Sequence, residues 1–186
     1  MKKMTREATK FRKTLQFDKP CYNKINQCLA FLQQKGNKAM NQIPVKKLKD
    51  NAILPTYGSA GAAGADLYAC LEAPVEIAPG RTAFIPTGIA IGLDDPHYAA
   101  FIYARSGLAI KHGIGLLNSV GVIDSDYRGE ICVGVIKQTD PEYTIEPYER
   151  IAQMVIEPVE LPEIVEVDSL DDTDRGAGGF GSTGTK

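Results

Sequence analysis

The 186-residue chain has no tryptophan, two histidines and four cysteines, and each shortage removes a class of chemistry. Cys21, Cys28, Cys70 and Cys132 form no C-x-x-C pair, and with only His97 and His112 beside them they do not make a zinc site. Free thiols in a reducing cytosol are expected instead, and with them a cytoplasmic protein. No run approaches the roughly 20 consecutive apolar residues that a membrane helix needs. The start of the chain holds no apolar core of a secretion signal, so neither a membrane partner nor export is expected. Acidic residues are scarce at one end only. Up to Lys49 there are 13 Lys and Arg against Glu7 and Asp18, and from Asp50 onward the remaining counts are 8 basic and 21 acidic. A basic arm of net +11 precedes an acidic body of net −13, which the formal total of −2 conceals.

What the chain does have is punctuation, 18 Gly and 11 Pro, which cuts the body into short pieces. In the arm, Pro20 suits a helix start, Ile25, Cys28, Leu29 and Leu32 recur at three- and four-residue steps, and Gly36 suits a stop. That spacing predicts a short amphipathic helix between Pro20 and Gly36, after a disordered stretch. Beyond Met40 no segment keeps a helical period long enough to be told from a buried strand. Instead, β-branched runs alternate with turn residues: 82–85 before Pro86, 88–93 before Asp94, 99–103, 131–136, and 151–156 before Pro158. This rhythm predicts an all-β barrel or jelly roll. The tail from Asp171 is Gly-rich with almost nothing to bury and reads as a flexible arm. The expected division is an extension over 1–42, a β body over 43–170 and a C-terminal arm over 171–186.

Several segments can carry chemistry. Gly176, Gly178 and Gly181 formally satisfy G-x-G-x-x-G, but no strand, helix and further sheet surround them, and Ser182 stands where a Walker lysine would be. Consecutive glycines still expose N–H groups that can wrap an anion, with Arg175, Ser182 and Thr183 as further donors and Phe180 as an aromatic lid. Asp124-Ser125-Asp126 is a turn sequence that could simply close a hairpin. Beside a phosphate site, however, an Asp can serve as general base on water, and Asn118 offers a donor and an acceptor to a base edge. Arg105, Ser106 and Gly107 follow a predicted strand and can grip phosphate oxygens. Asp66 and Gln153 are polar residues inside apolar runs, where a satisfied core polar group is the usual explanation.

Taken in order, these segments resemble the five motifs of the homotrimeric deoxyuridine triphosphate nucleotidohydrolases, the dUTPases. They are Gly64-Ala65-Asp66-Leu67, Ala104-Arg105-Ser106-Gly107-Leu108, Gly121 through Gly129, Glu149-Arg150-Ile151-Ala152-Gln153, and Arg175 through Gly184. The resemblance, over Val45 to Thr185, implies a jelly-roll or β-clip body, dUTP as substrate, Mg2+ as cofactor, and a homotrimer with active sites shared between subunits. It implies that Asp124 activates water for in-line attack on the α-phosphorus, giving dUMP and pyrophosphate, and that Gln153 assists. Tyr127 would lie against the deoxyribose, while Asn118 and the hairpin backbone at Gly121 and Val122 would read uracil. Ser106, with Arg105 and Gly107, would hold phosphate oxygens. Arg175 with Gly178, Gly179, Gly181, Ser182 and Thr183 would close over the γ-phosphate, and Phe180 would cover the base. Asp66 would orient the water ligands of Mg2+.

Two rivals share such a fold. A dCTP deaminase, or a bifunctional relative, would place its catalytic Glu at Gly134, which has no acid or base group. A non-catalytic nucleotide-binding module would tolerate losses at the chemical positions, and none is lost. The basic arm has no role in this chemistry. An added helix, a targeting peptide, a tether to nucleic acid and an extension upstream of a start at Met40 all remain open, a solvated basic tail being expected over a specific nucleic-acid reader.

Overall fold

Short β-branched runs between tight turns can bury one face only by pairing, and antiparallel ladders are what such short connections allow. The structure is a computed structural model that describes residues 42–179. The helix expected between Pro20 and Gly36 and the residues Phe180, Gly181, Ser182 and Thr183 lie outside the described residues.

In chain order the first strands are β1 (Val45–Lys47), β2 (Thr56–Tyr57), β3 (Ala65–Tyr68), β4 (Val75–Ile77), β5 (Thr82–Pro86) and β6 (Ile89–Ile91). Then come β7 (Tyr98–Ala104), the helix α1 (Ser106–His112), β8 (Ile114–Leu116) and β9 (Gly121–Ile123). The series ends with β10 (Cys132–Lys137), β11 (Tyr143–Ile145) and β12 (Arg150–Pro158). They form four antiparallel sheets of order β1-β6, β5-β10-β8, β11-β4 and β2-β3-β12-β7-β9. The architecture is an all-β jelly roll with one short helix.

The core is β-branched. Ile85, Ile89, Val135 and Ile145 show no exposure, and Leu67, Ile77, Ile114, Ile131 and Ile151 show at most 2%. Each such side chain is worth about 1.5–3 kcal/mol of burial. Lys137 is also inward on β10, and its ammonium donates to the carbonyl and hydroxyl oxygens of Thr139. β12 is the axis of the largest sheet. It keeps continuous register with β7 from Ala152 to Pro158, but against β3 its register shifts between Arg150 and Ala152. Ile151 is an extra residue on the β12 side of that ladder, and Ile151 and Ala152 are consecutively buried where strict alternation would expose one of them.

The five runs expected from the sequence are all strands, displaced by two residues at most. The helix was not legible: α1 has two turns and buries only Leu108, too little for a period to show. It starts at Ser106 and stops at Gly113, whose φ of 61° suits glycine and whose α-carbon lies against Thr139. Among the described residues no helix is long and apolar enough to cross a membrane.

Candidate active site

Asp66 stands on β3 directly opposite Gln153 on β12, and β7 on the other side of β12 ends at Ala104, just before Arg105. The sheet thus brings three distant segments to one end. A cavity of about 260 Å³ forms there, lined by Gly64, Asp66, Arg105, Ser106, Gly107, Arg150 and Gln153, with Gly58 and Ala62 from the preceding loop. Asp66 is 9% exposed and engages both oxygens: Arg105 Nε donates to Oδ1 at 2.9 Å and Arg150 Nη1 to Oδ2 at 3.1 Å. Arg105 Nη1 also donates to the Arg150 carbonyl at 3.0 Å, locking the two segments together. Gln153 Nε2 donates to the Ala104 carbonyl at 3.0 Å. Its Oε1 crowds Gly64, where an added Cβ would sit 2.7 Å away, so that glycine is required for the close approach rather than for its dihedral freedom. Ser106 and Gly107 open α1 with amides that have no helical acceptor.

A second cavity, of about 290 Å³, is lined by Val122, Asp124 and Tyr127 together with Ile123, Glu130 and Cys132. Its turn is held from several sides. Tyr127 N donates to Asp124 O at 3.2 Å, and Arg128 Nη1 donates to Ser125 O and Tyr127 O at 2.6 and 2.9 Å. The Tyr127 ring lies on Gly129, leaving no room for a Cβ there, and its hydroxyl donates to Glu130 O at 3.1 Å. Asp124 is exposed, and among the described residues its carboxylate makes no hydrogen bond or ion pair. At the neck, Val120 N donates to Asn118 O at 2.7 Å across Ser119, whose φ of 63° is a left-handed position for a residue with a side chain. Gly121 leaves only 3.1 Å between a built Cβ and Ile102.

The two groups do not share a cavity. Asp66, Arg105, Ser106, Gly107 and Gln153 meet in one, and Val122, Asp124 and Tyr127 in the other. Asn118, Gly121, Arg175, Gly178 and Gly179 line neither of these two. Arg175 instead closes its own turn, donating from Nε to Gly178 O at 2.8 Å. Sequence reasoning missed Arg150 as a lining residue although it lies within a quoted motif, and it missed the Gly58 to Ala63 loop. Residues 50–184 match the family model described as dUTPase.

The chain belongs to the dUTPase family.

Curated deoxyuridine 5'-triphosphate nucleotidohydrolases are similar over most of the body. That of Polynucleobacter asymbioticus is 51% identical over 147 residues, covering 78% of this chain and 99% of its own. That of Hahella chejuensis is 55% identical over 141 residues, covering 76% and 93%. Among solved structures, the dUTPase of Staphylococcus bacteriophage 80alpha with dUpNHpp is 28% identical with a TM-score of 0.68, covering 77% of this chain and 99% of that one. A mutant of the same phage enzyme gives 27% identity and a TM-score of 0.69 with the same coverage. The jelly-roll body of this dUTPase-family chain is therefore of the β-clip type.

Next to Arg150 in sequence, the start of the family's fourth motif is stapled by Glu149. Tyr143 donates to Glu149 Oε1 at 2.6 Å, and Glu146 N donates to Oε2 at 3.0 Å. Ala69 N donates to Glu149 O at 2.8 Å. Burial first, and then the Glu149 partner, push the Tyr143 phenol up to about 12 against an opposing pull from Arg105. An unfolded tyrosine ionises near pH 10, so the unfolded chain loses this proton first as pH rises. Stability from the neutral phenol is therefore complete below about pH 10 and is lost as pH climbs through about 12. Urea unfolding across that window should show a steeper loss in the unaltered protein than in Tyr143→Phe; equal slopes would refute the staple.

Proposed function

We propose that this chain hydrolyses dUTP to dUMP and pyrophosphate in the cytoplasm, limiting dUTP available to DNA synthesis and supplying dUMP. The convergence of Asp66, Arg105, Ser106, Gly107 and Gln153 on one cavity carries this reading. The Arg105 guanidinium, the Ser106 hydroxyl and the amides that open α1 are donors suited to phosphate oxygens, and one carboxylate, Asp66, stands among them. The relatives' names supply the nucleotide.

In this mechanism Asp124 is the general base. Its unpartnered carboxylate can take a proton from water, and the Arg128 contacts fix the turn from which it acts. Tyr127, pinned by Gly129 and Glu130, offers its ring to the deoxyribose and leaves no space for a 2'-hydroxyl. Asn118 and the backbone at Gly121 and Val122 read the uracil edge. Arg105, Ser106 and Gly107 hold phosphate oxygens, and Gln153 Oε1, with its amide nitrogen tied to Ala104, accepts from the attacking water. Arg175, Gly178, Gly179 and the outlying Phe180, Gly181, Ser182 and Thr183 close over the γ-phosphate and the base.

Mg2+ fits as an ion that arrives on the triphosphate. Among the described residues no three His, Cys, Asp or Glu side chains converge to cage a metal. Each Asp66 oxygen accepts one guanidinium bond and keeps a lone pair with which it can hold a metal-bound water. The ion would neutralise charge on the phosphate oxygens.

The proposed assembly is a homotrimer in which the Asp124 hairpin of one copy faces the Arg105 cavity of another. Two observations support it: the two groups of residues occupy separate cavities, and the segment after β12 leaves apolar side chains uncovered. Leu161, Ile164, Val165, Val167 and Leu170 are all more than half exposed, at 56–96%. Deamination has no support at Gly134, where a built Cβ meets only Phe84 and Leu117.

Pyrophosphate release should be seen with dUTP and not with dTTP, dCTP, the purine deoxynucleotides or UTP. Equal turnover of dTTP or UTP, or none of dUTP, would sink the proposal. Asp124→Asn should lower kcat by about 10²- to 10⁴-fold with dUpNHpp binding little changed; an unchanged kcat would reduce Asp124 to a turn residue.

A further inference from the structure

We infer that Arg150 is a second guanidinium for the phosphate chain, turned into the cavity by the Ile151 bulge and held there by the carboxylate that also holds Arg105. This rests on the dUTPase reading of the cavity and extends it to a residue with no role so far. Positions three apart on a regular strand point to opposite faces, so Arg150 and Gln153 could not both line one cavity. The bulge changes that. Gln153 pairs with Asp66, while Arg150 pairs with Tyr68, two residues from Asp66 and so on the same face.

The donor inventory leaves Arg150 free to bind. A guanidinium has five N–H groups. Arg105 spends one on Asp66 and one on the Arg150 carbonyl, whereas Arg150 spends one, on Asp66. Two guanidiniums against the one acid lining the cavity leave an uncancelled positive charge, and the Arg150 side chain is the more open, at 50% exposure against 26% for Arg105. Arg150 shares no cavity with Asp124 or Tyr127, so its ligand is the phosphate chain rather than the sugar or base. Gly58, Ala62 and Gly64 opposite it are too small to fill the space.

Calorimetric titration of the full chain with dUpNHpp, dUMP and inorganic tripolyphosphate separates the alternatives. Arg150→Gln should weaken dUpNHpp and tripolyphosphate by about 10- to 100-fold, the worth of charge-assisted hydrogen bonds, and dUMP by less than about 3-fold. Arg150→Lys keeps the charge without the fork and should recover part of the loss, which also guards against a Gln variant that fails to fold. Equal weakening of dUMP and dUpNHpp, or no weakening of either polyphosphate, would overturn the inference and leave Arg150 as a structural partner of Asp66. Tripolyphosphate carries no nucleoside, so its response judges Arg150 even if the unaltered protein ignores dUTP.

Discussion

One bulged strand organises the cavity that Asp66, Arg105 and Gln153 line. β12 pairs with β3 on one edge and β7 on the other, so a single register fixes Asp66, Gln153 and the exit of β7 toward Arg105. Its bulge at Ile151 brings Arg150 to the face that Gln153 already occupies. The Asp66 carboxylate then ties the pieces together through two guanidiniums, each within 3.1 Å. Removing that carboxylate would leave two partly buried cations side by side, which like-charge repulsion disfavours. Asp66 therefore has a positioning role in the structure whatever it does for a metal-bound water.

This arrangement also resolves a conflict of charge. An acidic body is a poor general attractant for a triphosphate, yet the cavity carries more guanidinium than carboxylate. Local placement of Arg105 and Arg150 decides the sign where it matters, and the acidic side chains of the segment after β12 lie elsewhere in the sequence. The hairpin with Asp124 has a different construction: backbone contacts from Arg128 and a tyrosine laid on a glycine hold a carboxylate that is itself unengaged. One group of residues presents more guanidinium than carboxylate, and the other presents an unengaged carboxylate.

The strand rhythm was legible because β-branched runs and Gly or Pro breaks report pairing directly, and Thr82 to Ile85 or Ala99 to Tyr103 needed no tertiary information. The motifs pointed to Asp66, Arg105 and Gln153, although the local pattern around Asp66 and Gln153 favoured satisfied core polar groups. That plainer explanation is half right: Asp66 is satisfied, by cations that face a cavity. Arg150 escaped because a bulge leaves no mark in a period-two pattern and the spacing to Gln153 argued for opposite faces. Gly64 entered only as part of a motif, while its use is to let Gln153 come close, a demand set by the register of β3 and β12. Helix α1 escaped because two turns with one buried leucine carry no readable period.

The central claim is that the Asp124 hairpin and the Arg105 cavity complete each other only between copies of the chain. Mixing tests it most directly. Asp124→Asn and Gln153→Ala proteins, each expected to be far less active alone than the unaltered protein, would be unfolded together and refolded as mixed assemblies before dUTP hydrolysis is measured. The account predicts activity well above the sum of the two variants, because some sites then combine an intact Asp124 from one copy with an intact Gln153 from another. Activity no greater than that sum, in samples shown to contain mixed assemblies, would contradict it.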